Sequence, residues 1–462
     1  MIRIFNHYVP RMAFLLLLME LTILLAAAGL AALLPIAEPR RHVSVPRLYL
    51  SLFTFALVII FSMSALGMYR RQQCEDIKAA LQRIVPAFIL AFLLLAILGR
   101  MTLSLTGLRA QGLALALGAG GVLLTRLLLF RSSGSSLLVE RLLLVGDGAL
   151  ARDCLELAAS RQGFHPFHVV GCVAVPGELR CVPAAMLLPP GPSLLELARA
   201  HGATQIVVSL GDRRSGAFPV HQLLECALGG LRVIDASAFF EREACQIRID
   251  TLQPSYLIYG GGFDQSFLRA TVKRGVDLAA SAAIFVATLP VMLAAALAIA
   301  AEDGGPVFYR QERVGRDGQP FAVLKFRSMR RDAERDGLPR WAEHDDPRIT
   351  RVGHWLRKLR IDELPQILNV LKGEMSFVGP RPERAYFVKQ LCDQVAYYNV
   401  RHSIKPGITG LAQVRYQYGA SIDDAICKLQ YDLYYVKNNS LFLDVLILID
   451  TVQVVLFRKG SR

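Results

Sequence analysis

The sequence lacks any Cys-x-x-Cys pair, and its eight cysteines show no spacing that suggests a zinc site. They are read as reduced thiols on the cytosolic side of a membrane. An internal repeat, a low-complexity tract and a lysine-rich tail are also missing. Charge is scarce: 19% of the 462 residues are charged against 53% hydrophobic, which excludes an ordinary soluble protein. No compact basic module is present, so the net charge of +14, mostly dispersed arginine, does not point to nucleic acid. On so apolar a chain it points to an anionic membrane face and anionic substrates. The N-terminus has no small-residue cleavage site, so its first apolar stretch is expected to be retained. The length fits two or three domains.

Four apolar stretches open the chain, near Met12–Leu34, Leu48–Met68, Pro86–Leu98 and Gln111–Phe130. Crossing the hydrocarbon takes about 20 apolar residues, which the third reaches only if Ile84 and Val85 extend it. Residues 1–131 are therefore expected to form a four-helix transmembrane bundle. Arg3, Arg11, Arg70, Arg71, Lys78, Arg83 and Arg131 place both of its ends in the cytoplasm, against the opposing signal of Arg40, Arg41 and Arg47. Glu20 and Arg126 are the charges within these stretches, and an intramembrane charge is a functional flag unless it packs.

Residues 140–243 read as a Rossmann-like α/β domain. Strands at Arg141–Val145, His168–Val173, Gln205–Ser209 and Leu231–Asp235 alternate with helical patterns, which implies a parallel sheet. Gly146-Asp-Gly148-Ala-Leu-Ala151 has the dinucleotide layout, with backbone N–H groups facing a pyrophosphate. The ribose-binding acid is missing where it belongs, at Val170–Val173, and the next carboxylate is Glu178. The expected reading is a scaffold without a bound dinucleotide. An NAD(P)-linked dehydrogenase or epimerase would also need a Tyr-x-x-x-Lys pair, which is not found.

The apolar run Val276–Ala301 is long enough to span, yet Pro290 breaks it. A kink there lets a helix over 272–301 enter the bilayer and return on the same face, with Lys273 and Arg274 held at the headgroups. A final apolar segment, Leu441–Phe457, carries Asp444 and Asp450.

Ile361-Asp362-Glu363-Leu364-Pro365 reads as a helix start, with Asp362 as N-cap and ionised in the field of the helix dipole. Alone, that pair is a common cap. Around it lie Gln311–Gly318, Phe321–Met329, Asp345–Gly353, Leu356-Arg357 and Gly379-Pro-Arg381-Pro-Glu383. This is more arginine than a solvated face needs, and guanidinium forks match phosphate oxygens.

Phe326-Arg-Ser-Met, Asp346-Pro-Arg-Ile-Thr, Asp362-Glu-Leu-Pro-Gln, Asn369-Val-Leu-Lys-Gly, Val378-Gly-Pro-Arg-Pro and Lys405-Pro-Gly-Ile-Thr-Gly-Leu-Ala-Gln occur in that order. Residues 269–462 thereby resemble the bacterial sugar transferase family, the polyprenyl-phosphate glycosyl-1-phosphate transferases of monotopic type. The whole chain resembles its large members, and its first residues, Met1–Tyr8, resemble the exopolysaccharide-associated subgroup. The resemblance implies a mostly α monotopic catalytic domain on the cytoplasmic face of the bacterial inner membrane. It implies transfer of a sugar-1-phosphate from a UDP-sugar, with glucose or galactose expected, to polyprenyl phosphate, with release of UMP. Asp362 would be the nucleophile and Glu363 a base, orienter or metal ligand. Mg2+ is expected on Asp362 or Glu363. Matching positions put Lys325, Arg327, Arg357 and Arg381 at the phosphates and uridine, and make Asp432 a further functional acid. A homodimer is among the assemblies expected. Family members often carry Ser-Pro at the membrane break, where this chain has Leu289-Pro290. The competing reading is a non-catalytic membrane scaffold or nucleotide sensor, which leaves the arginines and the carboxylate dyad unexplained.

Overall fold

The computed structural model describes the chain except for residues 1, 5, 6, 10, 35–44, 70–76, 102–107, 133–139, 161–166, 190, 192, 212–217, 251, 253–255, 257–265, 331–347, 417–420 and 458–462. Arg40, Arg41, Arg70, Arg71, Asp345, Asp346 and Pro347 thus lie outside the described residues, as do Met1, Phe5 and Asn6 of the opening segment. The chain divides into two compact units, Met1–Ile4 with Tyr8–Ala244, and Phe5–His7 with Cys245–Arg462.

The first unit contains four long helices: α1 (Arg11–Leu33), α2 (Val45–Ala65), α3 (Ile77–Met101) and α4 (Leu108–Ser132). Each holds a stretch long and apolar enough to cross a membrane. The helix α1 packs on α2 and α4, and α3 packs on the same two, around Leu24, Ile59, Met63, Ala87 and Val122. Their other faces expose Leu15, Phe53, Leu57, Ile89 and Leu128. Helices apolar all round need an apolar surrounding. The α3 helix begins nine residues before Pro86, which therefore sits inside it rather than at its start. Membrane helices tolerate an internal proline because neighbours re-satisfy the freed backbone groups.

The two charges in these helices find each other. Arg126 Nε donates to Glu20 Oε1 at 2.8 Å, and both side chains are buried. Arg126 Nη1 also donates to the Met68 carbonyl at 3.1 Å. Arg126 thus ties α4 to α1 through the ion pair and to the turn after α2 through Met68, a packing role.

Four strands follow, β1 (Glu140–Val145), β2 (Phe167–Val173), β3 (Gln205–Val208) and β4 (Arg232–Asp235). They form one parallel sheet in the order β2-β1-β3-β4. The apolar runs of its central strands, Leu142–Val145 and Ile206–Val208, suit a sheet covered on both faces. Helix α5 (Ala149–Ser160) starts after the glycine turn. The carboxylate of Glu178 fills that turn: it accepts from Gly148 N–H at 3.1 Å and from Gly211 N–H at 2.9 Å. A Cβ on Gly148 would lie 2.9 Å from Glu178 Oε2. Donors that the dinucleotide layout aims at a pyrophosphate are thus satisfied by a side chain of the same protein.

The second unit contains one long helix, Phe267–Asp303, with Pro290 inside it and Gly304 (φ 63°) ending it. It is longer at both ends than the run 272–301. Lys273 and Arg274 continue the helix and turn onto protein rather than headgroups. Lys273 Nζ contacts Asp444 Oδ2 at 2.5 Å and the Val378 carbonyl at 3.2 Å. Arg274 donates to the carbonyls of Val370 and Leu371. At the other end, Glu302 accepts from the N–H groups of Arg351 and Val352. Both ends of the long helix are therefore fastened to the same unit. Strands Phe308–Val314 and Pro320–Phe326 form an antiparallel pair, and Ser376–Val378 and Gly407–Thr409 a parallel one. Helix Ile422–Asn438 and the final helix Leu441–Phe457 bury Leu433, Tyr434, Tyr435 and Leu443 against Val378 and Tyr398. Asp444, on the final helix, pairs with Lys273, and Asp450 with Arg415 at 3.3 Å, which explains two acids in an apolar segment.

Candidate active site

Asp362 and Glu363 lie in a 3-10 turn, Ile361–Glu363, and the helix that follows runs over Gln366–Lys372 with Pro365 as its N-cap. Asp362 is thus one turn before the helix and not its cap. Proline fixes φ and has no N–H to satisfy, so it displaces the acid from the capping position. The turn is entered through Arg360, which is left-handed (φ 56°). A non-glycine residue there is held by its surroundings and marks a constrained site.

Asn369 locks the site helix to the strand that carries Lys325. Its Oδ1 accepts from Leu324 N–H at 3.0 Å, and its Nδ2 donates to the Ala322 carbonyl and to Glu374 Oε2, both at 2.7 Å. At the far end of the site helix, Arg274 donates to two of the last carbonyls, those of Val370 and Leu371. Glycines bring the remaining motifs together by letting backbone meet backbone. A Cβ on Gly407 would lie 2.1 Å from Gly379 N, and one on Gly353 would lie 2.0 Å from the Ser328 carbonyl oxygen.

Three cations surround Glu363. Lys325 Nζ lies 3.1 Å from its Oε1, Arg381 Nη2 3.4 Å from the same oxygen, and Arg360 Nη1 3.8 Å from Oε2. Burial alone would raise the Glu363 pKa, but Lys325, Arg381 and Arg360 outweigh it and hold it at about 2. Asp362 behaves oppositely. Burial and the neighbouring Glu363 charge raise it to about 6, against the pull of Lys325, Arg357 and Arg360. The expected depression by the helix dipole is overridden because the acid is half-buried beside a second carboxylate. Asp362 makes no hydrogen bond among the described residues, and the buried Nη1 of Arg357 has no partner. The cluster therefore holds one saturated carboxylate, one free carboxylate and an unspent guanidinium nitrogen.

Of the residues expected at the site, Lys325, Arg357, Arg381, Asp362 and Glu363 come together. Arg327 does not join them: its Nη2 donates to the carbonyls of Asp303 and Gly304, closing the end of the long helix. Asp432 is buried and accepts from Arg401 Nε and Nη2 at 3.0 and 2.8 Å. Arg401 Nη2 also donates to the Arg381 carbonyl at 2.9 Å, so Asp432 acts on the Pro380–Pro382 segment through Arg401. Two participants were missed in the sequence, Arg360 and Arg401. Arg360 is adjacent to the dyad, and that proximity was the available signal. Arg401 carried none, since its partner lies 31 positions away.

No group of three or more His, Cys, Asp or Glu side chains arranged for a metal occurs among the described residues. The donor set still suits Mg2+. That ion takes one or two carboxylates and completes its shell with phosphates and water. Here Asp362 offers the free carboxylate, while the oxygens of Glu363 face cations.

Comparison with known proteins identifies the family. The family model described as "Bacterial sugar transferase" matches residues 268–458. A UDP-N-acetylgalactosamine-undecaprenyl-phosphate N-acetylgalactosaminephosphotransferase of Aeromonas hydrophila is 43% identical over 240 residues, 52% of this chain and 56% of that one. A UDP-glucose:undecaprenyl-phosphate glucose-1-phosphate transferase of Escherichia coli is 35% identical over 235 residues, 50% of each chain. An uncharacterized sugar transferase of Bacillus subtilis is 41% identical over 193 residues, 41% of this chain and 90% of that one. The aligned part is thus about half of the first two relatives and nearly all of the third. With that coverage and the match across the whole site, the chain belongs to the bacterial sugar transferase family.

Proposed function

We propose that this protein transfers a sugar-1-phosphate from a UDP-sugar to polyprenyl phosphate, at the cytoplasmic face of the bacterial inner membrane, as the first membrane step of exopolysaccharide or O-antigen synthesis. The observation that carries the reading is the division of the dyad. Cations tie up Glu363, while the adjacent Asp362 carboxylate stays free beside an unpaired Arg357 nitrogen. An Asp362 oxygen attacks the β-phosphorus of the donor. A P–O bond forms, the bond to the bridging oxygen breaks, and UMP leaves with the electron pair. An oxygen of polyprenyl phosphate then attacks the same phosphorus, giving polyprenyl-diphosphate-sugar and restoring the carboxylate. Lys325, Arg357 and Arg381 hold the phosphates and spread their charge. Mg2+, held through Asp362 and the donor phosphates, would supply further neutralisation of the diphosphate.

The relatives' names supply the substrate class, since they specify glucose or N-acetylgalactosamine donors and undecaprenyl phosphate. UDP-glucose and UDP-galactose are the donors proposed first. The re-entrant placement of the long helix is part of the same proposal. Thirty-seven helical residues reach about 55 Å when straight, well beyond a hydrocarbon core of about 30 Å. Fastening both ends to the unit that carries the site favours entry and return on one face, with Pro290 at the turn. The test is UMP release from UDP-sugar, Mg2+ and polyprenyl phosphate. Asp362→Asn abolishes it; full activity in that variant would sink the mechanism.

A further inference from the structure

The long helix Phe267–Asp303 is turned inside out near its start. Val272, Val276 and Leu278 are exposed, whereas Asp277 and Ser281 are buried. Lys273, Asp277 and Ser281 follow one another at i, i+4 spacing and so share one stripe of the helix. That stripe meets the strand Ser376–Val378. The Asp277 carboxylate accepts from the Phe377 N–H at 3.3 Å, and Lys273 Nζ donates to the Val378 carbonyl at 3.2 Å. One turn of helix thus grips adjacent residues of the strand by a donor and an acceptor. An ammonium has three hydrogens, and Lys273 has three acceptors for them: Val378, Asp444 and the Tyr435 hydroxyl at 3.3 Å. Charges turned inward from an apolar helix are costly and mark a functional role.

The gripped strand leads directly to Arg381, three residues beyond Val378. On the way, Gly379 N–H donates to the Thr409 carbonyl at 2.9 Å, and the Pro380 carbonyl accepts from Gly407 N–H at 3.0 Å. Pro380 and Pro382 fix φ on either side of Arg381. A segment with so few free torsions passes a displacement of the strand pair on to Arg381 instead of absorbing it. Arg381 in turn meets Glu363 at 3.4 Å. Arg274, beside Lys273 in sequence, holds the other arm of the site, the end of the site helix.

We propose that Lys273 and Asp277 are positioning residues of the transferase reaction: from the start of the long helix they hold the strand Ser376–Val378 so that Arg381 stands against Glu363 and the donor phosphates. The proposal rests on the transferase reading above. Both residues act through Arg381 and not on the reacting atoms. Asp277 is the cleaner probe, because among the described residues its hydrogen bond goes to the strand alone, whereas Lys273 also serves Asp444. A misplacement of about 1 Å at a group that orients the substrate can cost about a hundredfold in rate.

The experiment uses the full-length protein in detergent and measures kcat/KM for UMP release from the UDP-sugar. Asp277→Leu and Lys273→Met should each lower it by about tenfold or more. Asp277→Asn keeps an oxygen that accepts the Phe377 N–H, and should stay within about threefold of wild type. The decisive measurement is a double-mutant cycle with Arg381→Ala. Residues that act through Arg381 have little left to lose once its guanidinium is gone, so Asp277→Leu and Lys273→Met should each cost less than about threefold in that background. A merely structural loss would be repeated in full. Each variant is first shown by its melting curve to be folded; where Asp277→Leu is not, Lys273→Met and Asp277→Asn carry the test. A full tenfold loss in the Arg381→Ala background, or wild-type rates in folded Asp277→Leu or Lys273→Met, overturns the positioning role and leaves the transferase reading standing. Wild-type protein that releases no UMP from any UDP-sugar refutes the function, and the proposal with it.

Discussion

A transferase that uses Asp362 as its nucleophile should lose its first chemical step on the acid side at an unusually high pH. The Asp362 value is about 6, raised by burial and by the Glu363 charge. Only the carboxylate attacks, so its fraction sets the rate. That fraction is about 0.9 at pH 7, 0.5 at pH 6 and 0.1 at pH 5, a roughly tenfold fall over two pH units. An ordinary aspartate would remain over nine-tenths ionised across the same range. The second half-reaction would blur the measurement, because the polyprenyl phosphate itself titrates near about pH 6. The assay is therefore a single-turnover burst of UMP at low donor concentration, without polyprenyl phosphate, at fixed ionic strength from pH 5 to 8. UDP-sugar has no group titrating there. Glu363→Gln removes the negative neighbour and frees Lys325 and Arg360 to stabilise Asp362, so the acid limb should move down by a unit or more. A flat burst rate between pH 5 and 7 in the wild type would refute the argument, as would a limb that stays in place in Glu363→Gln.

The same shift has a stability consequence. An acid whose folded value lies above its ordinary value costs stability once ionised: nothing below pH about 4, a growing amount to pH about 6, and at most about 3 kcal/mol above that. Asp362→Asn should therefore melt higher than wild type at pH 7.5 and lose that advantage at pH 4 by nano-DSF, while releasing no UMP. Asn369→Ala removes two hydrogen bonds between the site helix and the Lys325 strand and a third to Glu374, and should cost about 2–4 kcal/mol in thermal or denaturant unfolding. Gly407→Ala drives a Cβ into Gly379 N, and should reduce activity at least tenfold by disturbing the Pro380–Pro382 segment. In the membrane helices, Glu20→Leu or Arg126→Leu alone leaves a buried charge unpaired and should destabilise by about 3–5 kcal/mol, with the double replacement closer to wild type in a double-mutant cycle.

Much of the site was legible because its motifs are short and contiguous. Asp362-Glu363 with Pro365 announced a helix start, and Arg381, singled out between its prolines, does reach the dyad. Alternation of strand and helix patterns over 140–243 predicted a parallel sheet, and strands 140–145, 167–173, 205–208 and 232–235 do pair in parallel. What sequence reading assigned wrongly depended on partners remote in the chain. Lys273 and Arg274 looked like headgroup anchors because amphipathic flanks usually are, but they fasten the long helix to Asp444 and to the site helix. Arg327 looked like a phosphate ligand because it follows Lys325, but the strand places it beyond the site, at the end of the long helix.

The sequence by itself determined which segments are apolar enough for a membrane, where the α/β sheet lies, and that an adjacent acid pair, Asp362 and Glu363, precedes a helix. Those properties reside in composition and local spacing, which no tertiary contact can alter. The tertiary structure alone decided that Glu20 answers Arg126, that Glu178 fills the glycine turn, and that the two acids of the dyad have opposite proton affinities. Proton affinity is a sum over neighbours in space, and three cations converging on Glu363 while none bonds Asp362 is a fact of folding rather than of order along the chain.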